Sequence, residues 1–347
     1  MPTIYELVTS QEIAAYWSEL RQDEEPFVGE ELFDVQQKRG LDINWIKGSK
    51  GLPVVLKNSA FDVKAIPRAR IGFEKLNAQM PFFKESMYID EELRQELNMV
   101  LETGNPVYIQ SVMTRVFDDN IQLIRSARVS RERMRMMALT TGVVALSSNG
   151  QDYYYDYGIP EDHKGDAAVS WATTNSADPI SDIRAAQQKI YDDTGVMPTR
   201  AMCDSKTWGY LRNNDKIKKA IYVLTNGIGE ISDTRLKSYL MDELGIEVVI
   251  NDKRYKDEAG NTTKYMPADS FVIFPEGKLG TFWFGTTPEQ SDLMASAVAN
   301  VSIVDTGVAI TTMKHADPVQ VEEKVTQICL PSFEGADNVY IMDVTPA

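Results

Sequence analysis

Histidine and cysteine, the side chains best suited to acid–base, nucleophilic or metal chemistry near neutral pH, are sparse in this chain. Its 347 residues contain two histidines, His163 and His315, and two cysteines, Cys203 and Cys329. Neither histidine stands in a metal-ligand or catalytic-triad spacing. The cysteines are far apart and form no CxxC pattern, which is typical of buried thiols in a reduced compartment. The sequence therefore predicts no catalytic residue and no metal site.

Two glycine-containing segments match phosphate-binding loops only in part. Gly277 precedes a lysine, but Val272 occupies the position where the upstream glycine of a P-loop would stand. Gly227 and Gly229 begin a GxGxxG pattern that fails at Ser232. Both segments are interpreted as turns, so we expect no bound cofactor. A small-molecule enzyme with an α/β fold is kept as the less favoured alternative.

Charge is distributed unevenly along the chain. Lysine and arginine number 36 against 51 aspartates and glutamates, and the net charge of −15 disfavours non-specific binding of the whole chain to nucleic acid or anionic lipid. Residues 1–34 contain nine acids and one base, a local charge of −8, whereas residues 57–84 contain six bases and two acids, a local charge of +4. Surfaces of opposite sign can meet between subunits. The candidate inter-subunit contacts are Lys57, Lys64, Arg68, Arg70, Lys75, Lys84, Glu24, Glu25, Glu30 and Glu31.

A long helix is predicted in the middle of the sequence. Residues 107–141 contain no glycine or proline, and apolar residues recur at spacings of three and four. At 1.5 Å per residue the helix would be about 50 Å long. The alternative is two helices that meet near residues 128–130. Arginines are concentrated in the second half, and they form a solvated face, make local ion pairs, or contact a neighbouring subunit or DNA: Arg125, Arg128, Arg131 and Arg135.

Shorter signals place the remaining elements. Thr9 and Glu12 have the spacing of a capping box and predict a short amphipathic helix. Asn149 and Gly150 predict a tight hairpin turn. Residues 57–84 alternate apolar and polar side chains and are interpreted as a long β-hairpin with breaks. Helices and strands then alternate beyond residue 174, and the C-terminal part is rich in strands, so the chain is predicted to be an α+β protein.

Nothing in the sequence predicts contact with a membrane. The first 20 residues contain acids and lack the basic start and apolar run of a signal peptide. No apolar stretch approaches the length of a membrane span. We therefore expect a protein that is made and used in the cytosol.

Several short motifs occur in the second half of the chain: YDDTGVMP at 191–198, SKTW at 205–208, YMP at 265–267, DP at 317–318 and LP at 330–331. They resemble the lambda-type major capsid protein family, often called capsid protein E. The order of the predicted parts, from the acidic N-terminal segment through the basic hairpin and the long helix to the strand-rich C-terminus, resembles the Hong Kong 97 capsid fold of tailed bacteriophages. This resemblance implies an N-terminal arm (1–45), an extended β-hairpin loop (46–88), a peripheral domain around a long spine helix (89–174 with 305–347) and an α/β axial domain (175–304).

The resemblance also implies a function. The chain would be a structural head protein that self-assembles into hexamers and pentamers of an icosahedral shell around double-stranded DNA. Its partners would be further copies of itself, a scaffolding protein and a portal, with a decoration protein as a further candidate, and it would contact DNA only weakly and non-specifically. Assembly would take place in the host cytoplasm, and the product would be the virion. The alternatives are the shell of a cellular nanocompartment with the same fold and a DNA-binding module that uses the arginines of the long helix.

Overall fold

The computed structural model describes residues 9–47, 74–89, 91, 95, 98–99, 102, 106–222, 229–294 and 299–346. The chain divides into two compact units. The first unit comprises the N-terminal residues up to 43, residues 78–134 and residues 281–332. The second unit comprises residues 44–77, 135–280 and 333–347.

Helices and strands are both abundant. The α-helices of the described residues are α1 (Ser10–Leu20), α2 (Val28–Leu32), α3 (Pro106–Thr141), α4 (Pro179–Thr194), α5 (Ser205–Asn213), α6 (Asp215–Ile221) and α7 (Asp233–Leu244). The strands are β1 (Phe33–Gln37), β2 (Asp42–Lys47), β3 (Glu74–Gln79), β4 (Phe82–Ile89), β5 (Val143–Ser148), β6 (Gln151–Asp156), β7 (Lys164–Asp166), β8 (Arg200–Cys203), β9 (Glu247–Ile250), β10 (Arg254–Lys256), β11 (Thr262–Lys264), β12 (Ser270–Phe274), β13 (Gly280–Phe284), β14 (Ala299–Val304), β15 (Val308–Ala316), β16 (Val319–Ser332) and β17 (Tyr340–Asp343).

Local side-chain chemistry sets the ends of the helices. The Thr9 side chain accepts a hydrogen bond from the Glu12 backbone N–H, and the Glu12 side chain bonds back to the Thr9 backbone, so the predicted capping box is confirmed. Asp178 caps α4 in the same way by accepting from the Ser181 backbone N–H. Gly195 ends α4 in the left-handed conformation, with φ of +72°.

Helix α3 is one continuous helix of 36 residues, about 54 Å long. The alternative of two helices meeting near residues 128–130 is therefore wrong. The helix continues through residues 128–130 because buried side chains anchor it on both sides of them: Ile121, Ile124, Met134 and Leu139. Packing of an apolar face stabilises a helix more than the propensities of its residues do.

A six-stranded sheet forms the core of the first unit. Its strands follow the order β1, β13, β16, β15 and β14, and β4 also pairs with β16. Strand β16 is antiparallel to β15, β4 and β13, and it is buried almost throughout its C-terminal half. Helix α1 packs against β14 through its buried face, which contains Ile13 and Trp17.

Part of the segment assigned to the extended loop (46–88) lies in a sheet. Strand β4 is paired with β16 from Phe82 to Ile89 through eight consecutive cross-strand pairs. The bounds of the loop stay a prediction. Strands β2 and β3 form a separate two-stranded sheet. Residues 48–73 between them lie outside the described residues.

The second unit is built around a five-stranded sheet in the order β7, β17, β12, β8 and β9. Its core joins Trp171, Trp208 and Phe271 with apolar residues of helices α4 to α7. The predicted hairpin is confirmed, because β5 and β6 are joined by Asn149 and Gly150, with φ of +51° and +72°. Positive φ at both central residues is the requirement of a type I′ turn.

The compact units divide the chain differently from the expected domains. Residues 281–304, expected in the axial domain, lie in the first unit because β13 pairs with β16 and β14 pairs with β15. Residues 333–347, expected with the peripheral domain, lie in the second unit because β17 pairs with β12. Strand pairing between distant segments sets both boundaries.

Candidate functional site

Acidic residues of the N-terminal segment and arginines of α3 meet within one chain. Arg125 and Arg128 are three residues apart and therefore share a face of the helix. The Arg125 Nε lies 2.8 Å from a Glu24 carboxylate oxygen, and the Arg128 Nε lies 2.9 Å from Glu30. The Arg128 guanidinium also contacts Glu24 and lies over the Phe27 ring. Glu24 and Glu30, which were predicted to contact another subunit, form ion pairs with arginines of their own chain.

Burial makes Arg128 the centre of this network. Its side chain is almost fully buried, and burial by itself lowers the pKa of a guanidinium. The carboxylates of Glu30 and Glu24 outweigh that effect, and the pKa of Arg128 is raised overall. The second terminal nitrogen donates to the Glu25 carbonyl oxygen at 3.1 Å and to Glu30 at 3.0 Å. The fork of the guanidinium thus fixes the segment before α2 against α3.

Arg131 extends the network towards the sheet of the first unit. It is 2% exposed, and its terminal nitrogens donate to Gln327 at 3.0 Å and to Asp305 at 2.7 Å. Asp305 also accepts from Arg21 at 2.8 Å and from the Trp17 indole at 3.2 Å. Burial lowers the pKa of Arg131, although Asp305 opposes the shift. One carboxylate therefore ties α1, the turn before β15 and α3 together.

The burial of Arg131 and Arg135 argues against the predicted contact with a neighbouring subunit or DNA. Both side chains are 2% exposed in the single chain, and Arg131 is already hydrogen-bonded to Asp305 and Gln327. Arg125 is more exposed than Arg128, Arg131 and Arg135, and it is already paired with Glu24. The alternative of local ion pairs accounts for Arg125, Arg128 and Arg131.

The other predicted contact residues are spread over the molecule. Lys84 is exposed on β4, and Glu25 and Glu31 are exposed on either side of the start of α2. Lys75 lies in β3, and its side chain is not described. The remaining predicted contacts lie outside the described residues: Lys57, Lys64, Arg68 and Arg70.

The sequence interpretation missed two buried acids. Glu132 of α3 accepts a hydrogen bond from the Gly29 backbone N–H at 2.8 Å and so holds the start of α2. Glu323 of β16 is 2% exposed, and burial raises the pKa of its carboxyl to about 8. A signal for Glu323 existed, because Val321 and Val325 flank it at the period of two that defines one face of a strand.

Both histidines are paired with carboxylates. His163 is buried, and its Nε2 lies 2.9 Å from Asp193. Asp162, His163 and Asp193 are close enough together to hold a metal ion. The Lys189 ammonium, however, lies 2.9 Å from Asp193 and also contacts Asp162, so it already neutralises these acids. We interpret the cluster as an ion-pair network, and His315 likewise pairs with Glu322 at 2.8 Å.

The described residues provide no membrane-spanning segment. No described helix combines the length and the apolar character that crossing a bilayer requires. A groove of about 470 Å³ lies between α1 and β14, where Trp17, Arg21 and Asp305 line it. Arg21 and Trp17 both bind the Asp305 carboxylate, so the groove is interpreted as a surface cleft between packed elements.

The family model for phage major capsid protein E matches residues 9–343. The chain belongs to the phage major capsid protein E family. It is therefore a structural component of a phage capsid shell and of the virion, and it acts as a homo-oligomer. No protein of curated function matches its sequence.

Solved structures share the fold at low sequence identity. A protein described as the capsid protein of a prophage from Escherichia coli has a TM-score of 0.63 at 14% identity, with 97% of this chain and 99% of that chain covered. A phage-related protein from Bordetella bronchiseptica has a TM-score of 0.57 at 13% identity, with 98% and 99% covered. The capsid protein of cyanophage A-1(L) has a TM-score of 0.52 at 12% identity, with 93% of each chain covered. The predicted α+β class and phage capsid fold are confirmed.

Proposed function

We propose that this major capsid protein forms the hexamers and pentamers of an icosahedral head that encloses double-stranded DNA. The family match over residues 9–343 is the observation that supports this most directly. A closed shell needs contacts that repeat around symmetry axes, and such contacts bury large areas between identical subunits. The role we propose is one of construction, without catalysis by this chain.

Within the shell, we assign separate tasks to separate segments. Residues 1–45 would act as an N-terminal arm and residues 46–88 as an extended loop, each reaching a neighbouring subunit. Residues 89–174 and 305–347 would form the peripheral domain, and residues 175–304 the axial domain at the capsomer centre. The opposite charges of the two segments support contacts between subunits, and the candidates are Lys57, Lys64, Arg68, Arg70, Lys75, Lys84, Glu24, Glu25, Glu30 and Glu31.

Further partners follow from the task of building a phage head. We propose that a scaffolding protein guides assembly in the host cytoplasm, that a portal occupies one vertex, and that a decoration protein is a candidate ligand of the outer surface. The net charge of −15 supports a weak, non-specific contact with the packaged DNA. An acidic inner wall lets DNA slide during packaging.

Electron microscopy of the expressed full-length chain tests the proposal. The chain is purified with and without its scaffolding protein, fractionated by size, and imaged in negative stain. We expect capsomers or closed shells with five-fold and six-fold clusters. A compact monomer at high concentration, with the scaffold present, would contradict the proposed function.

A further inference from the structure

Glu323 is a buried acid without a cationic partner among the described residues. It lies in β16 with 2% of its surface exposed, and both carboxyl oxygens are buried. Burial raises the pKa of the carboxyl to about 8, and a side-chain hydrogen bond with Asn120 offsets the shift only in part. Leaving a buried neutral polar group unpaired costs about 1–3 kcal/mol, and burying a charged group without an opposite charge costs more. Within the described residues, the carboxyl is therefore left without the partner that its charged form requires.

A polar group without a hydrogen bond lies directly beside Glu323. The strand register places Glu323 opposite Met87 of β4 and opposite Thr312 of β15. Residues that stand opposite each other in neighbouring antiparallel strands share one face of the sheet. The Thr312 hydroxyl is buried without a hydrogen bond. An unpaired hydroxyl thus lies beside a buried carboxyl that has no cation next to it among the described residues.

A small pocket of about 40 Å³ lies next to Glu323. Strand β4 lines it with Met87, Tyr88 and Ile89, and α3 lines it with Val116, Asp119 and Asn120. A single water needs about 10–15 Å³, so the pocket has room for a few waters or for the end of a side chain. Tyr88 is 52% exposed and Asp119 is also exposed, so the pocket opens to the surface.

The two charged residues that flank Glu323 in β16 form ion pairs with other residues. Lys324, which follows Glu323 in β16, pairs with Glu289 at 2.8 Å. Glu322, on the other side, pairs with His315 of β15 at 2.8 Å. Asp119 of α3 adds a second negative charge at the rim. In the part of the chain that the structure describes, no lysine or arginine forms an ion pair with Glu323.

We propose that this pocket receives a lysine or arginine side chain from a second copy of the chain, whose charged end pairs with the Glu323 carboxylate. The inference rests on the proposed shell function, in which identical subunits cover each other's surfaces. Met87, Ile89 and Val116 supply apolar walls for the methylene stem, and Asp119 supplies negative potential at the entrance. Calcium fits less well, because it requires six to eight oxygen ligands and the side chains of only three lining residues offer oxygens of that type.

The protonation state of Glu323 is the direct test. The carboxylic-acid carbonyl stretch of the wild-type chain is measured by difference infrared spectroscopy near pH 6, once as unassembled subunits and once as shells, and Glu323→Gln assigns the band. We expect the protonated acid in the subunit and the ionised carboxylate in the shell, because an incoming cation favours the charged form. Shells in which Glu323 keeps its proton would overturn the proposal, whether the pocket then holds water or nothing.

Substitution gives an independent test with opposite effects on the subunit and the shell. Glu323→Gln removes the acid, so the unassembled chain should unfold at higher urea concentration while its shells dissociate roughly tenfold faster or more. The matched control is Glu85→Gln, an exposed acid on the adjacent strand β4, which should change neither measurement. Equal dissociation rates for Glu323→Gln and wild-type shells would contradict the docking.

The two proposals fail in distinguishable ways. Complete absence of shells in the wild-type chain contradicts the proposed function, and the docking with it. Normal shells with a protonated Glu323 contradict the docking alone.

Discussion

Buried charged side chains of the described residues differ in whether an opposite charge lies beside them. Arg128 and Arg131 are buried, yet each reaches carboxylates of the same unit at 2.7–2.9 Å. Breaking such a pair leaves an uncompensated buried charge, which typically costs about 3–5 kcal/mol. Glu323 has comparable burial without a cation, so it remains a neutral acid over most of the physiological pH range.

The free energy of unfolding should therefore fall as pH rises from the ordinary pKa of a glutamate to the raised pKa of Glu323 in the folded chain. Below its ordinary pKa of 4.5 both folded and unfolded chains hold the proton, and stability is fully present. Between 4.5 and about 8 the unfolded chain loses the proton while the folded chain keeps it, so stability declines by about 1.4 kcal/mol per pH unit. The total loss is on the order of 4 kcal/mol by about pH 8.

Urea unfolding of the unassembled chain at several pH values between 5 and about 8 measures this slope. Glu323→Gln has no proton to lose, so its stability advantage over the wild type should grow with pH. Glu85→Gln serves as the exposed control, and its difference from the wild type should not vary. A pH-independent difference for Glu323→Gln would show that the carboxyl is solvated in the folded chain.

At the scale of elements, the N-terminal segment is an integral part of the first unit. Helix α1 buries Ile13 and Trp17, and Arg128 of α3 pairs with Glu24 and Glu30 in the segment that follows. Arg21, directly after α1, shares the Asp305 carboxylate with Arg131. An arm that served only to reach a neighbour would not need these contacts. The long helix thus organises its own subunit before it meets another.

Glu30→Gln tests whether this attachment stabilises the isolated subunit. Removing the charge leaves Arg128 with Glu24 as its main carboxylate partner, so the free energy of unfolding should fall by about 2 kcal/mol. Asp23→Asn, an exposed acid in the preceding turn, should change it by less than about 0.5 kcal/mol. The measurement is urea unfolding of unassembled chain. If Glu30 acted only between subunits, the variant would unfold like the wild type and only shell formation would suffer.

At the scale of the whole molecule, the negative net charge and the burial of helix arginines both weaken binding to DNA. The chain has a net charge of −15, and three arginines of α3, Arg128, Arg131 and Arg135, are buried. Neutralising phosphates requires exposed cations, because the affinity arises mainly from released counterions. A shell protein gains from this arrangement, since DNA must move past its inner surface during packaging.

Duplex DNA should consequently bind weakly to unassembled subunits and not at all at about 0.2 M salt. Electrophoretic mobility shift over a series of salt concentrations checks this. Arg125→Ala removes the more exposed helix arginine and should reduce any residual binding at low salt. Binding that persists at about 0.2 M salt would instead support a DNA-binding module.

The local part of the fold could be predicted from the sequence. The capping box at Thr9 and the turn at Asn149 depend on residues within a few positions of one another. Such signals are set by backbone sterics and neighbouring side chains, which the sequence states directly. The sequence also shows directly that histidine and cysteine are scarce, and this scarcity argues against a catalytic function.

Only the tertiary structure decided which distant residues meet. The sequence itself determined that Glu24, Glu30 and Arg128 are charged, but the fold decided that they pair within one chain, across about 100 residues. It likewise decided that β4 joins the sheet of the first unit and that Glu323 faces inward. Pairings between distant segments depend on the packing of the whole chain, because no local pattern specifies which strand lies beside which.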